Sequence, residues 1–96
     1  EQHQGQDAWD DFEQGFNRQY EGFCDSLRQR ASEITDIEMK ICMLVRIGMS
    51  NREISDTLHL ADNTVRTYRT RIRKKLSLSE NDDLNAFLNG LGHAEK

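Results

Sequence analysis

Two adjoining stretches decide the fold: Gly48-Met-Ser-Asn-Arg-Glu-Ile54, and Leu58-His-Leu-Ala-Asp-Asn-Thr-Val-Arg-Thr-Tyr-Arg-Thr-Arg-Ile-Arg-Lys-Lys-Leu76. Ser50 followed three residues later by Glu53 is a capping box, in which each residue's side chain bonds the other's backbone amide. It opens a short helix whose inner side carries Ile54 and Leu58. His59-Leu60-Ala61 reads as a turn, and a second helix is expected over about 62–76, with Val65, Ile72 and Leu76 inward. Two helices joined by a few residues make a helix-turn-helix unit. Between Val65 and Leu76 lie six bases and no acid.

Working outward, Thr35-Asp-Ile-Glu38 is another capping box, and Ile37, Ile41, Leu44 and Val45 trace a buried face that stops near Gly48. After the basic helix, Ser79-Glu-Asn-Asp82 is expected to open a last helix bearing Leu84, Phe87, Leu88 and Leu91, with Gly90 and Gly92 fraying its end. Ahead of everything, Trp9, Phe12, Phe16, Tyr20, Phe23 and Leu27 recur at steps of three and four, which is helical period and excludes a strand. Such a face must cover something, and the rest of the domain is the first expectation. The prediction is an all-α chain of five helices: an N-terminal arm over 1–33 with an amphipathic aromatic helix, a tetrahelical helix-turn-helix domain over 34–92, and a tail over 93–96.

Composition agrees. The 96 residues are 35% hydrophobic and 31% charged, with no proline and 7% aromatic residues; mean hydropathy is −0.84. One small domain with an arm fits; two cores do not. No apolar run approaches the roughly 20 residues of a bilayer span. With no initiating Met and no signal peptide, the chain reads as a piece of something longer. Cys24 and Cys42 make no disulfide framework, and His3, His59 and His93 share no ligand spacing, so neither metal nor cofactor is expected. No catalytic motif appears, and the chain is not expected to be an enzyme. The net charge of −4 hides its distribution: residues 1–38 carry −7, residues 39–78 carry +6 and residues 79–96 carry −3. A basic middle points to a polyanionic partner despite the acidic total.

From Ile34 to Leu91 the sequence resembles the DNA-binding domain of the LuxR-type (GerE) family of bacterial transcription regulators. Ile34-Thr35 with Glu38 is similar to the family's opening "LT-x-x-E". Gly48 to Ile54 is similar to "G-L-S-N-K-E-I-A", Thr64-Val65-Arg66-Thr67-Tyr68 to "T-V-K-x-H", and Arg73 to Leu76 to "R-K-L". The arm from Trp9 to Phe23, with Cys42, Arg46, Arg69 and Asn85-Ala-Phe-Leu88, resembles a sub-branch whose members end long proteins carrying tetratricopeptide or sensor domains, often with a membrane span. Asp36 stands where Pro is common, His59 where Gly is frequent, Ala61 in the usual Ser/Thr cap slot, and Tyr68 in place of His.

The resemblance implies sequence-specific binding of double-stranded DNA by an effector domain. The implied partners are a second copy as homodimer, RNA polymerase and upstream sensor domains, in the cytoplasm and without membrane contact by this segment. Helical spacing sets Asn63, Arg66, Thr67, Thr70 and Lys74 on the face away from Val65 and Ile72. Arg66, Thr67, Thr70 and Asn63 are the expected base readers; the Arg66 fork matches the two acceptors of guanine. Ser50, Asn51, Arg52, Arg71, Arg73, Lys74 and Lys75 are the expected phosphate contacts. Leu84, Phe87, Leu88 and Leu91 occupy the family's dimer element. Arg69 is expected to pair inward with Glu38 or Glu53, Tyr68 to pack, and the two thiols to be inert. The acidic arm could mask the basic face. The rival reading is a protein-interaction helix-turn-helix module that docks a transcription partner, with incidental DNA affinity.

Overall fold

A computed structural model describes residues 4–79 and 82–91; Glu80 and Asn81, Gly92, His3, and the tail with His93 lie outside the described residues. The elements are α1 (Gln4–Gln19), α2 (Phe23–Arg30), α3 (Asp36–Arg46), α4 (Asn51–Leu58), α5 (Asp62–Lys75) and α6 (Leu84–Asn89), with no strand among the described residues. The all-α expectation holds, with six helices among the described residues in place of five.

The extra helix comes from the arm. Tyr20, Glu21 and Gly22 form a turn, and Gly22 adopts φ 85°, which side chains other than hydrogen strongly disfavour. The aromatic spacing runs on across this break, because the turn returns Phe23 to the side on which Phe16 lies. The two rings meet edge to face with centroids 5.2 Å apart. Phe16, Phe23 and Leu27 are buried, and Trp9, Phe12 and Tyr20 pack against the same core. The aromatic face therefore covers the domain itself.

The hub is α3. Its capping box is complete: the Glu38 amide donates to Thr35 Oγ1 at 3.3 Å and the Thr35 amide donates to Glu38 Oε1 at 2.9 Å. Every residue from Ile41 to Val45 is buried, and α4, α5 and α6 all pack against this helix. The arm reaches its outer side, where Lys40 sits over the Trp9 ring at 5.0 Å and Arg46 over Tyr20 at 4.3 Å.

Three consecutive helices stop in the same way. The amides of Met49, Leu60 and Leu78 donate back five residues, to the carbonyls of Leu44, Ser55 and Arg73, each across a residue of positive φ. That is the Schellman geometry, which normally calls for glycine. Here the residues are Gly48 (φ 97°), His59 (φ 59°) and Ser77 (φ 61°). His59, which stands where Gly is frequent, thus holds a strained left-handed backbone at the turn.

The start of the last helix differs from expectation. Helix α6 begins at Leu84, and its N-cap is Asp83, whose side chain accepts from the Asn85 amide at 3.1 Å. Ser79 is instead joined to Asp82 by a bond from its amide to Oδ2 at 2.9 Å.

Candidate nucleic-acid interface

The site is the outward side of α5, and its orientation is fixed by what lies beneath. Val65 and Ile72 are fully buried, Leu76 nearly so, and α4 packs along the helix. The α4–α5 corner is tied by Ser55, buried and overlooked in the sequence reading. Its hydroxyl lies 2.8 Å from both the Arg52 carbonyl oxygen and Asp62 Oδ1, so it can donate to either. Asp62 is thereby engaged with α4, while Ala61, the N-cap residue of α5, offers no side-chain bond. A serine at that spacing before an acid, across a turn, was the available signal.

With that side fixed, Asn63, Arg66, Thr67, Thr70, Arg71 and Lys74 are all exposed on α5. Arg66 donates through Nη2 to Asn63 Oδ1 at 2.7 Å, so the first two expected base readers are hydrogen-bonded to each other. Arg71 lies 5.7 Å from the centroid of the half-buried Tyr68 ring. Among the described residues, the arm does not cover this face.

Two basic residues are placed otherwise than expected. Lys75 Nζ lies 2.7 Å from Glu38 Oε1 and donates to the Glu33 carbonyl at 3.0 Å, which withdraws it from the phosphate set. Arg73 is half-buried and donates to the Ser79 carbonyl at 2.7 Å, closing the end of α5. Exposed Lys74 keeps the position that its spacing assigned.

Arg69 faces inward as expected, toward a different acceptor. Its Nη2 donates to Asn85 Oδ1 at 2.7 Å, because Glu38 is taken by Lys75 and Glu53 by the α4 cap. Desolvation lowers the Arg69 pKa from its ordinary value, and the nearby Asp83 charge opposes that shift.

At the start of α4, the Ser50 amide donates to Glu53 Oε1 at 2.9 Å and the Glu53 amide donates to Ser50 Oγ at 3.2 Å. This leaves the first-turn amides of Asn51 and Arg52 without an intrahelical acceptor, which is the usual geometry for holding an anion. Arg52 is exposed beside them.

The expected dimer residues require a correction. Leu84 and Leu88 are buried at 1% and 0% exposure and Leu91 at 8%, all within this chain's own core. Phe87 is half-buried, with the Arg30 guanidinium 5.3 Å from its ring centroid. A six-residue helix has one apolar face, and α6 spends it on α3. Both thiols are buried; desolvation pushes Cys42 up to about 12 and also raises Cys24. Among the described residues no cluster of His, Cys, Asp and Glu could hold a metal ion, and no helix is long and apolar enough to cross a membrane.

Residues 32–87 match the profile of the bacterial regulatory proteins of the luxR family. This chain belongs to that family. Among the relatives of this luxR-family chain, BvgA of Bordetella pertussis, whose name describes a positive transcription regulator of virulence factors, is 39% identical over 46 residues. That alignment covers 48% of this chain and 22% of BvgA. A response regulatory protein of Escherichia coli K12, YgeK, is 34% identical over 64 residues, covering 64% of this chain and 44% of the relative. The chain thus spans less than half the length of either. No solved structure matches it. The helix-turn-helix of this transcription-regulator domain is α4 and α5, and the family is one of regulators, not an enzyme class.

Proposed function

We propose that this luxR-family domain binds duplex DNA sequence-specifically, with α5 in the major groove. The observation that carries the reading is the outward placement of Arg66, Thr67 and Thr70 on a helix whose other side is locked to α3 and α4. Fourteen residues of helix span about 21 Å, enough to lie along the groove. Arg66 offers its fork to guanine, while Thr67 and Thr70 reach thymine methyls or single acceptors. Arg71 and Lys74 on α5, with Arg52 and the open amides of α4, hold the phosphates on either side.

The resemblance extends the proposal to two copies on half-sites about one helical turn apart, acting with RNA polymerase under upstream sensor domains in the cytoplasm. With Leu84, Leu88 and Leu91 committed to the core, association through α6 falls to its exposed residues, Ala86 and Asn89.

Selection of binding sites from random duplex oligonucleotides, followed by a salt titration of the selected site, tests the reading. A DNA reader enriches a consensus and loses affinity with a log–log slope of about −0.9 per phosphate neutralised. No enrichment together with a flat salt response would favour the interaction-module reading.

A further inference from the structure

The acidic N-terminal arm does not close completely on the domain. Ala8, Trp9, Phe12, Leu44, Met49 and Thr57 line an open apolar groove of about 370 Å³ between α1, α3 and α4. Phe12 also lines an adjoining depression of about 410 Å³ that runs to Tyr20 and Ile47. Ile47, at 38%, is the large hydrophobic left exposed among the described residues. An open apolar strip holding a tryptophan and a methionine is the composition of an interaction surface.

Charge selects the occupant. Asp11 lies on the wall beside Phe12, and Glu53 and Asp56 flank Thr57 on α4, all three exposed. Lys40 and Arg46, which reach the Trp9 and Tyr20 rings, are each seated on an aromatic ring. A second copy is a poor fit: residues 1–38 carry −7 and repel their like, and the basic helix α5 presents no large aliphatic side chain outward. Residues 1–7 and 92–96 hold no large apolar side chain to fill the groove. Duplex DNA and anionic membranes are repelled by the rim. We infer that the α1–α4 groove docks a basic amphipathic helix of another polypeptide, with apolar anchors over Trp9 and Met49 and lysine or arginine against Asp11, Glu53 and Asp56.

The test uses the 96-residue chain and a synthetic 14-residue peptide with Leu at helical i, i+3, i+4 and i+7 positions and Lys elsewhere. Its counterpart with Glu for Lys serves as control. Trp9 is the sole tryptophan and reports the groove directly. The lysine peptide is expected to shift Trp9 emission saturably while the glutamate peptide does not. Asp56→Lys should weaken binding at least tenfold, whereas Asp25→Lys, an equal charge change at an exposed site on α2, should change it less than twofold. Equal losses in both variants would reduce the effect to bulk charge and overturn the inference, as would an unresponsive Trp9. A chain that takes the peptide and ignores DNA would retain the groove and reject the DNA-reading function, so the two claims fail separately.

Discussion

Lys75 fastens the far end of the basic helix to the start of α3, with its Nζ 2.7 Å from Glu38 Oε1. Glu38 is 2% exposed and serves two masters, since the same oxygen accepts from the Thr35 amide. Burial alone would raise its pKa. The Lys75 and Thr35 hydrogen bonds and the Lys75 charge outweigh burial and hold it below the ordinary 4.5. A lowered carboxylate stabilises the fold fully above its unfolded value, and that contribution is lost as pH falls through the folded one. Urea unfolding should therefore show stability constant above pH 4.5 from this group and declining below it. Glu38→Gln should flatten that decline. Lys75→Met strands a buried charge and should cost about 3 kcal/mol, the low end for such losses because Lys75 remains a quarter exposed.

The same placement separates neighbouring lysines. Lys74 is exposed and Lys75 is not free, so Lys74→Ala should weaken binding to all duplexes alike and reduce the salt slope by about one phosphate. Lys75→Met should leave the slope unchanged under conditions in which the variant remains folded. Arg66→Ala should cost roughly 1–3 kcal/mol on a selected site and blur preference at one base pair. Measured affinities on selected and random duplexes, each at several salt concentrations, check all three. Identical behaviour of Arg66→Ala and Lys74→Ala would erase the division between reading and positioning.

Leu88 provides a test of where the α6 apolar face is spent. It is fully buried, so Leu88→Ala should destabilise the chain by about 2–5 kcal/mol. For a domain of this size that lowers the thermal midpoint by about 8 °C or more. A scanning calorimetry trace paired with sedimentation settles it: a midpoint that stays put while self-association disappears would return Leu88 to a dimer interface.

The elements that were legible in the sequence are those whose rule is local. Thr35 with Glu38 and Ser50 with Glu53 announce helix starts because a capping box is closed within four residues. The inward side of α5 follows from Val65, Ile72 and the helical period. What spacing alone does not carry is the partner across the fold. Lys75 looks like another phosphate contact until Glu38, 37 residues away, is seen beneath it, and Arg69 meets Asn85 across 16 residues. Leu84 and Leu88 are apolar at a face-like spacing in either role, and only their packing on α3 assigns them to the core. The break at Gly22 was visible as a glycine but was hidden by an aromatic rhythm that continues through it.

The three repeated helix ends supply a controlled series on backbone strain. Left-handed backbone costs a residue with a Cβ roughly 1–2 kcal/mol, which glycine avoids while losing some unfolded-state entropy. His59→Gly and Ser77→Gly should each therefore stabilise the chain, by about 0.5–1 kcal/mol. Gly48→Ala should destabilise it by about 1 kcal/mol on conformation alone, because a Cβ built there meets nothing within 4 Å. Chemical denaturation of the three variants measures the effect, and a common slope against denaturant shows that the exposed surface has not changed. His59→Gly carries the most weight, since its residue is the C-cap of α4 and lies between α4 and α5. If it stabilises the fold and leaves duplex affinity within threefold, the corner geometry comes from the amide of Leu60 on Ser55 and the Ser55–Asp62 contact, with the imidazole dispensable. A loss of stability would mean that the His59 side chain holds the corner and that its left-handed backbone is offset by contacts of its own.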